Sequence, residues 1–438
     1  MLERVCEPRR LLEAWQQVKR NAGAAGIDRM TVEGFESSKE ELFPIIRRKL
    51  EAGEYRFKPA RRVLIPKAGA KGKFRKLGIP VVMDRIVGAS IALVFEEIFD
   101  AEFTESNFGF RRGKSQHQAI EHVRGIVEEG FGWCASVDLK SFFDEIPHDL
   151  ILRLIRRKIA DERLVRLVAR ALKAGVIVEG KFEKTTKGSP QGSPLSPMLS
   201  NIVLNEMDYE LERRGLKYCR WADDFVILVR SERAASRVME NITRYLEEEL
   251  RLPVNREKSE VTLVRNVEFL AFQILANKVR VSEKSREKFK EKVRELTRRN
   301  NGWAMHQVIE RLNLYLRGWG EYFRVQQFKK LFGELDGWIR SRLRSMQLKK
   351  WKNPRKFQRI MIAAGYASDR AHRTWVRMNR WQSVARTEVR FVLNRKWFDR
   401  IGLISLQEVA PPTLTPKGVV ADRRAAYLAG PSRSVGRG

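Results

Sequence analysis

Two adjacent carboxylates stand between two apolar runs in Trp221-Ala222-Asp223-Asp224. The flanking residues, 218–221 and 225–229, are typical of strands, and together they predict a β-hairpin with an acidic tip. Neighbouring carboxylates repel each other unless cations lie beside them. Far upstream, Asp138 follows another strand-like run, residues 134–137. Taken by itself, an Asp-Asp pair is more often a solvated turn.

The three aspartates together indicate a specific chemistry. One strand aspartate joined to an Asp-Asp hairpin is the ligand set of a two-metal nucleotidyl transferase, whose ions lie about 3.5–4 Å apart and hold the attacking and leaving oxygens. Mg²⁺ prefers carboxylates, waters and substrate phosphates, so few protein ligands are needed. We therefore expect two Mg²⁺ ions at a catalytic centre of Asp138, Asp223 and Asp224.

The charge of the chain indicates a polyanionic partner. Its 438 residues include 86 Lys and Arg against 54 Asp and Glu, a net charge of +32. Residues 1–275 hold 48 basic and 41 acidic side chains, whereas residues 276–438 hold 38 and 13. Such asymmetry predicts an enzyme body followed by a basic clamp for nucleic acid.

The cysteines and the hydropathy pattern bear on metal binding and on cellular location. Cys6, Cys134 and Cys219 are far apart and form no Cys/His cluster, so no zinc site is predicted. Neither a signal peptide nor an apolar stretch of membrane-spanning length is recognisable. We expect a cytoplasmic protein that is nucleoid-associated when it engages DNA and has no membrane partner.

The elements that must position these residues follow from periodicity. Helices are expected over residues 1–50, with Thr31 as a cap, and after Ser115. Further predicted elements are a strand over 133–139, helices over 149–173, a hairpin over 174–186, helices over 194–214 and 231–250, and strands near 260–264, 267–274 and 278–281. From residue 284 the pattern is helical, and residues 409–438 are predicted to be a flexible tail. The fold class is therefore α+β.

The order of motifs from about residue 10 to about 406 resembles the group II intron reverse transcriptases, also called intron-encoded maturases. The motifs that carry the resemblance are Ile65-Pro66-Lys67, Leu77-Gly78-Ile79-Pro80, Phe108-Gly109-Phe110-Arg111, Val137-Asp138-Leu139-Lys140-Ser141-Phe142-Phe143-Asp144, Ser189-Pro190-Gln191-Gly192-Ser193-Pro194-Leu195-Ser196-Pro197, Asp223-Asp224, Val254-Asn255-Arg256-Glu257-Lys258-Ser259, Phe269-Leu270-Ala271-Phe272 and the run Leu312–Trp319. The end of the chain is similar to bacterial members that lack an endonuclease domain.

The resemblance implies a right-hand polymerase. Fingers and palm would occupy residues 1–275, a helical thumb or maturase domain 276–355 and a small basic DNA-binding region 356–408. The implied function is an RNA-directed DNA polymerase that also binds intron RNA to aid splicing and retrohoming. Its partners would be intron RNA, an RNA template with a DNA primer, target DNA and dNTPs. Two alternatives stay open: a splicing-only RNA-binding maturase, and a host-adopted polymerase in DNA repair or defence.

Roles at the metal centre are implied in the same way. Asp138 and Asp223 would ligate both ions, with the Leu139 carbonyl as an additional ligand. Asp224 either ligates less directly or sets the local charge. Asp144 is the alternative acid, and we expect it to cap the helix that follows Ile146-Pro147.

The resemblance also gives six side chains a place beside the incoming nucleotide: Arg62, Lys67, Arg75, Phe143, Gln191 and Lys258. The three basic residues lie on a predicted strand–turn–strand segment, residues 61–80, which we call the fingers hairpin, and would neutralise the triphosphate. Phe143 would exclude a ribose 2′-hydroxyl. The alternatives are a solvated basic hairpin, a core phenylalanine and a surface lysine.

Two departures and a set of basic side chains complete the predictions. Trp221 stands where the family usually has Tyr, and Ala271 replaces a common Gly at the turn beside the primer. The candidates for nucleic-acid contact, several of which are alternatively plain solvated charges, are Arg317, Lys329, Lys330, Arg340, Arg342, Lys349 and Lys350.

Overall fold

The computed structural model describes residues 1–66, 72, 74–276, 278–300, 302–328, 330–351, 353–377 and 388–409. They form two compact units, which we call the N-terminal unit (residues 1–269) and the C-terminal unit (270–409). The predicted contacts of Lys67 and Lys329 lie outside the described residues, as does the predicted tail beyond residue 409.

The N-terminal unit is rich in helices, which surround its strands. They are α1 (Leu2–Cys6), α2 (Pro8–Asn21), α3 (Val32–Glu51), α4 (Val82–Phe99), α5 (Gln116–Glu128), α6 (Phe142–Glu145), α7 (His148–Arg156), α8 (Glu162–Leu172), α9 (Ser196–Arg213) and α10 (Glu232–Arg244). Short 3₁₀ turns follow at Asp100–Glu102 and Val264–Asn266, and a π-helical turn at Tyr245–Glu249 extends α10.

Two four-stranded sheets lie within the described part of this unit. The first consists of β1 (Ala60–Pro66), β2 (Phe74–Ile79), β4 (Val176–Val178) and β5 (Lys181–Glu183), in the order β2-β1-β4-β5. The second consists of β3 (Trp133–Asp138), β6 (Lys217–Trp221), β7 (Asp224–Val229) and β8 (Glu260–Leu263), in the order β6-β7-β3-β8. All pairs in the second sheet are antiparallel.

Local chemistry accounts for several of these boundaries. The predicted cap Thr31 accepts a hydrogen bond from the Gly34 amide at 3.0 Å, and Ser115 accepts one from the Gln118 amide at 3.3 Å. Each satisfies a donor that the first helical turn leaves unpaired. Both capping predictions are confirmed.

One hydrophobic cluster fills the interior of the N-terminal unit. It joins the apolar faces of α2, α4, α7, α8 and α9 to the strands β3 and β7. The helix α4 is buried on nearly every side, which explains why its sequence is apolar without a polar stripe. Cys134 and Cys219 lie on β3 and β6 and are buried. The strands β3 and β7 are therefore anchored in this hydrophobic core.

The described part of the C-terminal unit contains two strands and eight helices. They are β9 (Phe272–Leu275), β10 (Lys278–Val281), α11 (Glu283–Leu296), α12 (Met305–Tyr322), α13 (Lys330–Lys350), α14 (Pro354–Ala363), α15 (Ser368–Val376), α16 (Glu388–Val392), α17 (Arg395–Arg400) and α18 (Leu406–Val409). Aromatic rings join the first of these: Trp319 lies 4.3 Å from Phe289 and 4.6 Å from Phe323, measured between ring centroids. All three rings are buried and form part of the core of this unit. Across the described ranges, no helix has the length and apolar composition needed to cross a bilayer.

Two local predictions are wrong. The strand expected over 267–274 begins only at Phe272, because Leu270 and Ala271 have φ angles of 50° and 67° and turn the chain. Asp144 does not cap the helix after Ile146-Pro147, since it lies inside α6 and α7 has no side-chain cap. A cap must stand directly before the first turn, and Pro147 takes that place.

Candidate active site

The acidic hairpin forms as predicted, and strand pairing brings the distant aspartate to it. Trp221 pairs with Asp224 at the end of β6 and β7, and Ala222 turns the chain with a φ of 58°. Asp138, the last residue of β3, pairs directly with Asp224. Directly opposite residues have their Cβ atoms about 4.5–5.5 Å apart. The register therefore gathers Asp138, Asp223 and Asp224 at one end of the sheet.

The three carboxylates perturb one another. Burial, followed by the charge of Asp138, raises the pKa of Asp223, although Arg75 and Arg220 oppose the shift. Burial and then the charges of Asp223, Asp138 and Glu268 raise the pKa of Asp224 to about 7. Asp224 is exposed as a whole residue, and its carboxyl is nevertheless shielded enough by protein for burial to be the largest cause. Excess negative charge of this kind is relieved by a cation.

The donor set fits hard divalent ions. It offers carboxylates and a main-chain carbonyl, which Mg²⁺ prefers to nitrogen or sulfur ligands. The bridge between Leu139 and Val254 uses the carbonyl of Asp138 and the amide of Lys140, so the Leu139 carbonyl lies outside this ladder. Within the described ranges, no group of three or more His, Cys, Asp or Glu side chains is arranged to hold a metal ion, and this includes the three aspartates. A site completed by substrate and water would have this character.

The loop before β8 holds Asp138 from both backbone and side chain. The amide of Asp138 donates to Ser259 Oγ at 3.0 Å, and its carbonyl accepts from the Asn255 amide at 2.8 Å. Its Oδ2 accepts from Asn255 Nδ2 at 3.0 Å and from Lys258 Nζ at 3.4 Å. Lys258 thus contacts Asp138, and its predicted place beside the nucleotide stays a prediction. Asn255 and Ser259 belong to the Val254–Ser259 motif, and their contacts with Asp138 could not be predicted from the sequence.

The fingers hairpin presents two of its predicted basic residues. Arg75 is exposed on β2, and its charge lowers the pKa of Asp223, so the structure brings it to the aspartates. Arg62 lies on β1 and its Nε atom has no hydrogen-bond partner among the described residues. An unpaired guanidinium donor is well suited to an anionic ligand.

The Gln191 turn packs against the same hairpin. The Gly78 amide of β2 donates to the Gln191 carbonyl at 2.8 Å. A side chain on Gly192 would meet the Gly78 carbonyl oxygen at 2.4 Å, and Gly192 has a φ of 119°. Glycine is therefore required where this turn approaches β2. The Pro190-Gln191-Gly192 turn and the Leu77-Gly78 segment are therefore in direct contact.

Phe143 lies beside the site and partly in the core. It follows the αL residue Ser141, is half-buried, and its ring meets Phe142 edge-on at 5.4 Å. Its carbonyl accepts a hydrogen bond from the Ser189 amide at 2.7 Å. The half-buried position is compatible with both roles considered for it, a gate beside the nucleotide and a core side chain.

The basic side chains of the C-terminal unit differ in their exposure and in their hydrogen bonds within the protein. The described candidates are Arg317, Lys330, Arg340, Arg342, Lys349 and Lys350. Arg342 donates from Nε to Thr297 Oγ1 at 2.7 Å, and burial lowers the pKa of its guanidinium. Lys350 donates to the carbonyl of Trp303. Arg317 and Lys330 are exposed on α12 and at the start of α13. Arg342 and Lys350 therefore have structural partners.

Sequence reasoning missed a buried group beneath the hairpin. Arg220 has no exposed surface, and its guanidinium contacts Asp208, Asn201 and the Ala222 carbonyl. The signal was available, since Arg220 is a charged residue between the apolar Cys219 and Trp221 of β6. Such a residue is rarely buried without a partner.

Two family models match the chain. The model for reverse transcriptase (RNA-dependent DNA polymerase) covers residues 65–274, and the model for the group II intron maturase-specific domain covers residues 286–363. The first includes Asp138, Asp223 and Asp224, and the second covers α12, α13, α14 and most of α11.

Individual proteins agree with these models. Protein YkfC of Escherichia coli (strain K12) is 32% identical over 324 residues, which cover 65% of this chain and 84% of that protein. Group II intron-encoded protein LtrA of Lactococcus lactis subsp. cremoris is 35% identical over 209 residues, 47% of this chain and 34% of LtrA. Putative COX1/OXI3 intron 1 protein of Saccharomyces cerevisiae is 41% identical over 164 residues, 37% of this chain and 19% of that protein. The chain thus spans most of YkfC but about a third or less of the two intron proteins.

The predicted fold class and enzyme class are confirmed. An α+β body with a helical C-terminal region is the right-hand architecture of reverse transcriptases. Enzymes of this family act on nucleic acids and use divalent metal ions. With YkfC covered over most of its length and both models matched in order, the chain belongs to the group II intron-encoded reverse transcriptases and maturases, and its enzyme class is RNA-directed DNA polymerase.

Proposed function

We propose that the chain copies RNA into DNA by two-metal nucleotidyl transfer at Asp138, Asp223 and Asp224, with Mg²⁺ as the metal. The observation that carries this proposal is the β3–β7 register, which pairs Asp138 with Asp224 and leaves Asp223 at the adjoining turn. The pKa values of Asp223 and Asp224 are both raised, chiefly by burial and further by neighbouring carboxylates. Cations that arrive with the substrate would relieve the repulsion between these carboxylates.

The residues around the aspartates would each have a distinct role. Asp138, Asp223, Asp224 and the Leu139 carbonyl would hold the Mg²⁺ ions, which would supply activation of the primer 3′-hydroxyl and charge stabilisation of the leaving pyrophosphate. Asn255 and Ser259 hold the backbone of Asp138, so that its carboxylate and the Leu139 carbonyl face the substrate together. Lys258 neutralises Asp138 in the absence of metal and would move to substrate phosphates when metal binds.

The fingers hairpin would receive the incoming dNTP. Arg62 and Arg75, with Lys67 of the same segment, would neutralise its triphosphate. The Gln191 turn, which is hydrogen-bonded to β2, would contact its sugar or phosphate. Phe143 would sterically exclude a nucleotide that carries a ribose 2′-hydroxyl. We assign residues 1–275 to fingers and palm on this basis.

Primer extension on an RNA template tests the catalytic proposal. Asp138→Ala and Asp223→Ala should each lower kcat at least about 100-fold, since the charge stabilisation of the transferred phosphoryl group is lost. Asp149→Ala is the control, because that aspartate is exposed on α7 and pairs with Arg251. Extension near the wild-type rate by both site variants would refute the assignment.

A second activity, help with intron splicing, is favoured by the charge of the C-terminal half. Residues 276–400 hold 33 basic and 11 acidic side chains. We propose that the thumb or maturase domain (276–355) grips intron RNA and the template–primer duplex, and that residues 356–408 contact target DNA during retrohoming. A-form RNA is recognised chiefly by shape and phosphate contacts. Asp223→Ala should therefore retain splicing activity on the flanking intron while it loses DNA synthesis.

A further inference from the structure

The buried Arg220 lies directly below the turn that carries Asp223. It belongs to β6 and is fully buried, as is its partner Asp208 on α9. The Nε atom of Arg220 lies 2.9 Å from each oxygen of the Asp208 carboxylate, and a second nitrogen reaches the same group. The two charges therefore neutralise each other away from water.

The remaining guanidinium nitrogen is directed at the turn. Arg220 Nη1 donates to the Ala222 carbonyl at 3.1 Å and to Asn201 Oδ1 at 3.0 Å. Ala222 is the residue with a φ of 58°, a conformation that costs a non-glycine residue free energy. The hydrogen bond from Arg220 thus holds the carbonyl of a strained residue immediately before Asp223.

A second contact supports the same turn from the Phe108-Gly109 motif. Asn201 Nδ2 donates to the Gly109 carbonyl at 2.8 Å, so one amide joins both supports. A Cβ atom on Gly109 would meet the Ala222 nitrogen at 2.2 Å and the Trp221 carbonyl carbon at 2.9 Å. Both are backbone atoms and cannot swing aside. Gly109 therefore permits an approach that no other residue allows.

Stability alone does not require this arrangement. Burying a charged pair loses hydration that the mutual attraction only partly offsets, and well-packed apolar side chains often do as well. Apolar side chains could not, however, donate to the Ala222 carbonyl. The feature that a charged pair adds here is a directed donor held rigidly by a second charge.

We propose that Arg220, Asp208, Asn201 and Gly109 are positioning residues that fix the Ala222 turn so that Asp223 presents its carboxylate for metal binding. This inference rests on the proposed two-metal function. A misplacement of about 1 Å at a reacting centre can lower a rate about 100-fold. The effect should appear in kcat and in the Mg²⁺ requirement, with little change in KM for dNTP.

The test is the double variant Asp208→Leu/Arg220→Met, which removes both charges and leaves neither unpaired. It should remain folded, with kcat lowered about 100-fold and a higher half-saturating Mg²⁺ concentration. Gly109→Ala removes no charge and should shift both quantities in the same direction. Arg220→Lys, with Asp208 retained, should recover part of kcat only if a donor to the turn matters. Ser90→Ala is the control, because Ser90 is fully buried and donates to the Val5 carbonyl, away from the turn.

Asp223→Ala is measured in parallel and separates the two proposals. If Asp223→Ala is inactive while the double variant and Gly109→Ala keep the wild-type kcat and Mg²⁺ curve, the positioning inference is wrong and the proposed function stands. If Asp223→Ala itself remains active, the proposed function is wrong and the inference falls with it. Should the double variant fail to fold by circular dichroism, Gly109→Ala alone decides. Equal losses in the Ser90→Ala control would likewise overturn the inference.

Discussion

The raised pKa values of the hairpin carboxyls predict a competition between protons and Mg²⁺. Burial and three neighbouring carboxylates raise the pKa of Asp224 to about 7, and burial with the charge of Asp138 raises that of Asp223. A raised carboxyl pKa means that the protonated form persists to higher pH. The ionised form, which binds metal, is therefore lost as the pH falls through about 7.

The size of the effect follows from that value. A carboxyl with a pKa of about 7 is about 90% ionised at pH 8 and about 10% ionised at pH 6. If one such proton must leave before metal binds, the half-saturating Mg²⁺ concentration should rise about tenfold between pH 8 and pH 6. Release of a second proton from Asp223 would make the rise steeper.

Two assays measure this competition. Primer extension is titrated with Mg²⁺ at each pH, which separates metal affinity from any pH dependence of the rate at saturating Mg²⁺. The increase in Tm on addition of Mg²⁺ reports binding without catalysis, and it should be larger at pH 8 than at pH 6. Asp224→Asn is the control in the Tm measurement, which does not require catalysis, because it keeps the size of the side chain and removes its titration. The reasoning is refuted if the half-saturating concentration of the wild type is the same at both pH values.

Three further outcomes are expected. Phe143→Ala should raise rNTP incorporation relative to dNTP in primer extension, since the half-buried ring would no longer fill the space of a 2′-hydroxyl; an unchanged preference would assign Phe143 to the core. Ala271→Gly should leave the free energy of unfolding unchanged or raise it by up to about 1 kcal/mol, because Ala271 has a φ of 67° and a left-handed alanine costs about 1–2 kcal/mol. Ala234→Gly within α10 should instead cost about 1 kcal/mol in the same denaturation experiment, and an equal loss at Ala271 would contradict the strain argument. Arg317→Glu/Lys349→Glu should weaken RNA affinity and reduce the log–log salt slope by roughly 0.7–0.9 per lost contact. If affinity and slope in a filter-binding titration stayed the same, RNA binding would belong elsewhere.

Local sequence determined the elements and the identity of the reactive groups. Alternating and apolar runs are enough to locate β3, β6 and β7, because a strand has a period of two residues whatever it pairs with. Thr31 and Ser115 mark helix starts because a hydroxyl satisfies amides only a few residues away. The acidic tip at Asp223-Asp224 could also be predicted locally, because the two aspartates stand between two strand-like runs. The difference in charge between residues 1–275 and 276–438 likewise follows from amino-acid composition alone.

The tertiary structure decided which distant residues meet. Nothing local specifies that Asp138 pairs with Asp224, since register depends on the burial of whole strand faces against the core. The turn at Leu270 and Ala271 was misread as strand because apolar alternation does not reveal a positive φ. Arg220 could be recognised as unusual in its strand, but its acid Asp208 lies on a helix. Only the packing of α9 against β6 joins the two, and that packing determines what holds the hairpin in place.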